Sequence, residues 1–331
     1  MPDINQDRII SMAAGFQYSK ILLTANELGI FKAVGDKSKT PAQVSGALKL
    51  DPEATDMLMR ALVGLGLMTY KAGRFTNAPD VQKYLTGDGD DGLACITRHM
   101  NHLYSRWSDL DDIMKKGRTK RRAPSKLLTD RKQNRDFICG MFEIGYDTAK
   151  AVADAVDMTG VAKMADIGGG PAQYPLALSR KNPDTKFVLA DYPNTVKVAR
   201  EYVSKYGLKD RVKLVNCEFF DVKELGIGND YDLALLSQVL HAVSDDKCKE
   251  LIGKVYRILK AGGRILINEN AMDDDKAGPP PPLIFAINML INTAGRTFTT
   301  GELAAWLRQA GFKSVKVKRL HQRSALIEGR K

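Results

Sequence analysis

Apolar and polar residues follow two different rhythms along this chain, and the change falls before its midpoint. From Ile10 to Leu28 apolar positions recur at helical spacing, and the run stops at Gly29. Thr40-Pro41 pairs a capping hydroxyl with a first-turn proline and opens a helix through Leu48. Asp51-Pro52 opens another, in which Met57, Leu58, Ala61, Leu62 and Leu65 form an apolar stripe ending at Gly66. Leu67–Tyr70 and Arg74–Thr76, joined through Lys71-Ala72-Gly73, read as a hairpin. Three helices and a hairpin predict a winged helix.

Beyond Val152 short apolar runs alternate with amphipathic ones. The strands predicted are Met164–Ile167, Phe187–Ala190, Val212–Asn216, Tyr231–Ser237 and Arg264–Asn268, with Val315–Arg319 and Ala325–Ile327 closing the sheet. Helices are predicted over Tyr174–Arg180, Thr195–Tyr206, Asp245–Leu259 and Thr300–Ala310. Strand–helix units ending in an antiparallel pair make an α/β sandwich. The expected division is 1–115 for the helical domain, 116–150 for a basic linker and connecting helix, and 151–331 for the catalytic domain.

Composition narrows the class. A chain of 331 residues suits two domains better than one. No window approaches the ~18 apolar residues of a membrane span. Met1–Arg8 lacks a leader pattern, so a cytoplasmic protein is expected. Cys95, Cys139, Cys217 and Cys248 stand singly and read as reduced thiols, without a disulfide frame or zinc site.

The net charge of +11 is partly local: Lys115, Lys116, Arg118, Lys120, Arg121 and Arg122 crowd one segment, followed by Lys126, Arg131, Lys132 and Arg135. A solvated linker is the favoured reading, ahead of a funnel for an anionic substrate or a nucleic-acid contact. No aromatic residues interleave this run, as single-stranded nucleic acid would want. The segment Asp56–Leu65, where a recognition helix would lie, has Arg60 as its only base, beside Met57, Met59 and Val63. Groove reading needs several polar side chains, so this helix is expected to be buried against a partner subunit. His99 and His102 could share a helix face and a metal, but no carboxylate or cysteine at useful spacing joins them. The favoured alternative there turns Met100, Leu103 and Trp107 inward. No metal is expected.

The chemistry concentrates in Met164-Ala-Asp166-Ile-Gly168-Gly169-Gly170-Pro171, followed by Phe187–Ala190 and Asp191. Strand, glycine turn, helix, strand and acid is the nucleotide-binding order of a doubly wound sheet. Asp166, Asp191, Glu218, His241 and Glu269 all fall at or just after predicted strand ends, where such sheets bind ligands. The third glycine of the dinucleotide fingerprint is absent, since Gly170 is followed by Pro171-Ala172-Gln173. That favours S-adenosylmethionine over a nicotinamide dinucleotide, with Asp191 placed for two ribose hydroxyls.

The chain resembles the dimeric S-adenosylmethionine-dependent O-methyltransferases of the plant caffeate and bacterial polyketide type. Glu27–Phe31, Leu62–Leu67 and the segment around Trp107 carry the likeness in the first part. Asp166–Gly170, Asp191-Tyr192-Pro193, Glu218-Phe219-Phe220, Val239-Leu240-His241, Ser244-Asp245 and Leu259–Gly263 carry it in the second. The resemblance implies a Rossmann-like class I methyltransferase sheet behind a winged-helix dimerisation domain, a homodimer that lends residues between subunits, and metal-independent transfer to a small-molecule acceptor. Gly168 and Gly170 match the glycines beside the methionine part of the cofactor, Asp191 the ribose acid, and Glu218 with Phe219 the adenine pair. Asp166, Gly169, Tyr192, Ser237 and Gln238 complete the expected cofactor site. His241 matches the catalytic base, and Glu269 one of two acids that orient it.

Those roles are chemically reasonable. Displacement at a sulfonium methyl needs alignment, and a phenol of pKa ~10 is mostly protonated at neutral pH, where a histidine of pKa ~6.5 is suited to accept its proton. The chain departs from the family at Ala242-Val243, where Asp-Trp is usual, at Thr297, where the second acid is usual, and at Ala172, where glycine is common. Three readings follow: a hydroxyl methyltransferase using His241 and Glu269; a methyltransferase for a thioether, thiol or carbon acceptor; and a cofactor-binding relative with another activity. A DNA-binding regulator is the minor alternative. Acceptor-lining candidates are Trp107, Phe137, Met141, Phe142, Phe285, Asn288, Met289 and Asn292. Asn288 and Asn292, four apart on one helix face, are the best candidates for a polar grip.

Overall fold

The computed structural model describes residues 4–87, 91–118 and 130–331. The chain divides into two compact units, Met1–Ser105 and Arg106–Lys331. The division falls inside the helix Ala94–Trp107, earlier than the expected boundary at 115.

In the first unit, Asn5 caps the helix Gln6–Glu27 by accepting from Arg8 N–H, and Gly29 turns the chain at φ 79°. Thr40 and Gln43 form a reciprocal capping box at the start of Pro41–Leu48. Asp51 caps Pro52–Gly64 through Ala54 N–H. The hairpin pairs β1 (Met68–Lys71) with β2 (Arg74–Asn77) antiparallel, across Ala72 and Gly73 at positive φ. Helices followed by a hairpin give the expected winged-helix order. Ile30, Phe31, Met59, Leu62, Met68 and Phe75 form its core.

The stripe expected on Pro52–Gly64 is rotated: Thr55, Met59 and Leu62 are buried, and Met57 is exposed. Helical spacing reports an apolar arc, and packing against the neighbouring helix and hairpin selects which part of it is covered. Arg60 pairs with Asp56 at 2.7 Å and lies over the rings of Tyr70 and Phe75. It is engaged within its own unit.

The second unit is built on an eight-stranded sheet of order β5-β4-β3-β6-β7-β10-β9, with β8 paired to β7. The strands are β3 (Lys163–Ile167), β4 (Lys186–Asp191), β5 (Val212–Asn216), β6 (Tyr231–Ser237), β7 (Leu259–Met272), β8 (Phe298–Thr299), β9 (Lys313–His321) and β10 (Ser324–Arg330). β3 to β7 run parallel, while β10 and β9 fold back antiparallel. All seven predicted strands are present. β7 runs longer than expected, and the two-residue β8, parallel to Ala271-Met272, was too short to leave a pattern.

Both faces of the parallel strands are covered, so they read as continuous apolar runs. On one face Ile167, Leu236, Ile265 and Ile267 meet Leu251 and Val255 of the helix Asp245–Ile258, and Leu303 and Leu307 of Thr300–Gln309. On the other, Met164, Leu233, Leu235 and Leu266 meet Val152, Leu176 and Val203. Each such side chain contributes about 1.5–3 kcal/mol by leaving water.

The expected basic linker and connecting helix, 116–150, are described only in part. Lys120, Arg121, Arg122 and Lys126 lie outside the described residues. Arg131–Ala155 is one 25-residue helix, capped by Asp130, that buries Ile138, Phe142, Ala149 and Val152 in the unit. Its exposed face still shows the linker-like charge, with Arg135 bonded to both carboxylate oxygens of Glu201 at 2.8 Å. Among the described residues no helix is long and apolar enough to cross a membrane, and no three His, Cys, Asp or Glu side chains gather as a metal would require.

Candidate functional site

The chain runs outward from β3 to β5 and returns through β6, so the strand order reverses at the β3–β6 seam. In such a sheet the carboxyl ends at this seam leave a crevice. Gly168 follows β3 there, at φ 73°, with its N–H donating to Ala190 O at 2.8 Å. A Cβ at this position would lie 2.5 Å from Val239 Cγ2 and 3.3 Å from Phe219 Cζ. Only glycine fits both the turn and the closeness of the residues that follow β6 and β5.

Two carboxyls sit beneath this turn. Asp191, the last residue of β4, accepts from Gly170 N–H at 2.9 Å through Oδ2 and from Tyr192 N–H at 2.7 Å through Oδ1. Burial pushes its pKa up to about 6, against the pull of those amides. Asp166 is 1% exposed, and neither of its oxygens has a hydrogen-bond partner among the described residues. Burial, with the charge of Asp191 beside it, pushes Asp166 up to about 8. An unpartnered buried carboxyl is costly unless a ligand completes it.

Ala172, where glycine is common, adopts φ 65° and ψ 24° just before the helix Gln173–Ser179. The fold keeps the left-handed conformation and the sequence accepts its strain.

Around this turn Phe219 is buried and its ring lies 5.2 Å from that of Tyr192, whereas the Glu218 side chain is exposed. Lys254, almost wholly buried, donates to Phe219 O at 3.1 Å and pairs with Glu250 at 2.7 Å. Ser237 is placed differently from the expectation of a cofactor contact. Its hydroxyl donates to Tyr174 OH at 2.6 Å and accepts from Asn268 Nδ2 at 2.9 Å, in a buried network that Ser324 extends. Gln238, at φ 55°, accepts from Asn270 Nδ2 at 2.6 Å. Lys254, Tyr174, Asn268 and Asn270 were not singled out from sequence. For the two asparagines the flanking of Glu269 in Asn268-Glu269-Asn270 was the available signal.

Glu269 organises the second half of the site. It is fully buried on β7, and its Oε1 accepts from Val239 N–H and Leu240 N–H, both at 2.8 Å. Its Oε2 lies 2.7 Å from His241 Nδ1. One carboxylate thus shapes the turn after β6 and holds the imidazole on it. A carboxylate at Nδ1 selects the tautomer with its proton there, which leaves the Nε2 lone pair available. The rings of Phe285 and His241 stand perpendicular, with their centroids 5.0 Å apart. Thr297 gives no second support: it is buried and donates to Met272 Sδ at 3.6 Å.

Phe285, Asn288, Met289 and Asn292 share one face of the helix Pro280–Asn292. Arg106 donates to Asn292 Oδ1 at 3.3 Å, and Asn292 Nδ2 donates to Asn288 Oδ1 at 2.9 Å. Because arginine only donates, this chain orients both amides and leaves Asn288 presenting its Nδ2 donor. Phe142 is not in this group. Its ring packs with Tyr146, Tyr202 and Tyr206 at 5.2, 4.6 and 5.6 Å, on the core side of Arg131–Ala155. Helical spacing alone could not separate it from Phe137 and Met141, which are partly buried. Trp107 is 38% exposed at the end of its helix. Asp273, Asp274 and Asp275 serve three different partners, Arg319, Gly301 N–H and Ala277 N–H, as adjacent side chains must.

Residues 107–313 match the family described as the O-methyltransferase domain, and residues 10–87 match the O-methyltransferase dimerisation domain. The chain belongs to the O-methyltransferase family. Its relatives include the 3-hydroxy-5-methyl-1-naphthoate 3-O-methyltransferase of Streptomyces sahachiroi, 27% identical over 94% of this chain and 90% of that one. The acetylserotonin O-methyltransferase of Bos taurus is likewise 27% identical, over 93% of this chain and 92% of that one. In fold the chain is similar to the crystal structure of human N-acetylserotonin methyltransferase in complex with S-adenosylmethionine, with a TM-score of 0.85 over 100% of this chain and 99% of that one, at 24% identity. The family membership agrees with the resemblance read from the motifs.

Proposed function

We propose that this O-methyltransferase moves the methyl group of S-adenosylmethionine to a hydroxyl of a small aromatic acceptor, with His241 as general base. The observation that carries the reading is the His241–Glu269 pair, held at 2.7 Å beside the glycine turn of a doubly wound sheet. The cofactor supplies an electrophilic methyl on a sulfonium sulfur.

The residues present fit that group. Asp166 offers two unpartnered carboxylate oxygens where a ligand ammonium would complete them. Asp191 keeps acceptor capacity for ribose hydroxyls beyond its two amide bonds. Phe219, braced by Lys254, and Tyr192 give an apolar wall for adenine. Glu218, Gly168, Gly169 and Gly170 line the same strand ends, and Gln238 lies beside them.

His241 Nε2 takes the acceptor's proton as the hydroxyl oxygen attacks. Glu269 stabilises the imidazolium and keeps the ring from turning. Phe285 packs perpendicular to the imidazole and provides apolar surface for an aromatic acceptor. Asn288 offers an N–H to an oxygen elsewhere on that acceptor, with Met289, Met141, Phe137 and Trp107 as further candidate walls. The substrates in the names of the two relatives, a hydroxynaphthoate and acetylserotonin, support a small aromatic hydroxyl. A homodimer is part of the proposal. Ile9, Ile10, Met12 and Phe16 on the first helix are all more than half exposed, an apolar face that a second copy would cover.

The test is S-adenosylhomocysteine formation from S-adenosylmethionine with 3-hydroxy-1-naphthoate or N-acetylserotonin as acceptor. His241→Gln should lower kcat more than ~100-fold while S-adenosylhomocysteine binds as before. A variant that keeps most of its activity removes the base from the proposal.

A further inference from the structure

Arg118 belongs to the basic run that reads as solvated linker, yet it faces inward. Its Nη1 donates to Ala294 O at 2.9 Å and its Nη2 to Gly295 O at 2.7 Å. One guanidinium therefore clamps two consecutive carbonyls of the loop that follows Pro280–Asn292. Paired donors on a planar fork fix position and direction together, which a single ammonium does not.

What that loop touches gives the clamp its consequence. A Cβ on Gly295 would fall 2.6 Å from the carbonyl carbon of His241 and 2.6 Å from Val243 N, closer than any side chain tolerates. The loop main chain therefore rests directly on the main chain of the His241 turn. Next along, Arg296 ties the loop to Asp245 at 2.8 Å and to Glu302 at 3.1 Å. Behind the turn, Cys248 Sγ donates to Leu240 O at 3.1 Å. The turn thus has Glu269 on its ring and amides, and the 294–296 loop against its carbonyl. Thr297 contributes no acid to the imidazole, so this backbone contact adds to the restraint that Glu269 and the Phe285 ring give it.

We infer that Arg118 is a positioning residue for His241: it presses Gly295 against the 241–243 main chain and so keeps the imidazole aligned on Glu269. This rests on the reading of His241 as the base. The guanidinium acts through two links, its hydrogen bond to Gly295 O and the glycine's contact with His241. Shifts of ~1 Å in such an arrangement cost up to ~100-fold in rate.

Two measurements test it. Long-range proton–nitrogen spectra of the imidazoles read tautomers directly, and with four histidines in the chain the His241 signal is assigned by its loss in His241→Gln. Wild type should show one tautomer with the proton on Nδ1, and Arg118→Ala a mixture of the two, with unchanged affinity for S-adenosylhomocysteine by calorimetry. With 3-hydroxy-1-naphthoate as acceptor, Arg118→Ala should lower kcat ~10-fold or more in the wild-type background. In the His241→Gln background it should lower kcat no further. Arg118→Lys, which keeps the charge but loses the fork, carries the same comparison if the alanine variant does not fold. An unchanged His241 signal in either variant overturns the inference, as does an equal loss of kcat in both backgrounds. If His241→Gln itself stays active, the base reading fails, and the spectra still decide the clamp.

Discussion

Replacing Asp166 by asparagine should make the ligand-free protein less sensitive to rising pH. The carboxyl is 1% exposed with both oxygens unpartnered, and burial beside Asp191 holds its pKa up at about 8. In the unfolded chain an aspartate titrates near ~3.9. Between these values the native state holds a proton that the unfolded state has released, so stability falls as pH rises through the window. This contribution is fully present below pH ~4, and its loss is complete once pH passes the folded value of about 8. At ~1.36 kcal/mol per unit, the cost between pH 5 and 7.5 is about 3 kcal/mol. Asparagine does not titrate, so wild type should lose about 3 kcal/mol more than Asp166→Asn across that interval. Groups that do not interact with Asp166 cancel in this difference. The assay is urea unfolding at both pH values, at one protein concentration and without cofactor. A wild-type-minus-variant difference that is the same at pH 5 and 7.5 would refute the argument. Cofactor binding should show the opposite trend. An ammonium partner favours the ionised carboxyl, so S-adenosylmethionine should bind wild type more tightly as pH rises from 6 to 8, and the variant without that dependence.

Glu269→Ala should destabilise the protein by about 2–6 kcal/mol, because two buried amides, Val239 and Leu240, lose their acceptor at about 1–3 kcal/mol each; urea unfolding measures it, and a change below 1 kcal/mol counts against that role. Ala172→Gly removes a left-handed strain of about 1–2 kcal/mol and adds about 0.4–1 kcal/mol of unfolded-state entropy, so calorimetry should find it neutral to slightly stabilised. Asn288→Asp replaces the presented donor with an acceptor and a charge. It should raise KM for an acceptor bearing a carbonyl or carboxylate ~10-fold or more, with cofactor affinity unchanged; an unchanged KM would show that Asn288 does not grip the acceptor.

Much of the site was legible because a doubly wound sheet ties chemistry to strand ends. Asp166, Asp191, His241 and Glu269 could be gathered once five apolar runs were placed, since the C-terminal edges of parallel strands converge at one end of the sheet. Caps were equally legible, as at Thr40 and Asp51, because a capping side chain bonds to amides only two or three residues away. Phe142 and Met57 were misplaced for a shared reason. Apolar spacing defines a helix face, and the face does not say whether core, ligand or solvent meets it. Arg118 was hidden among bases because charge counting carries no direction.

From sequence alone the chain determines its elements, the family and the residues at the strand ends, because those depend on neighbours a few positions apart or on a repeating period. Tertiary structure decided which of them act together. It set Glu269 on the His241 ring and on two amides at once, retired Thr297 to a sulfur contact, and drew Ser237 into a buried network. It also brought Arg118 across 177 positions to Gly295. Such contacts form between segments that only the closed sheet brings together, and no local pattern encodes a distance between them.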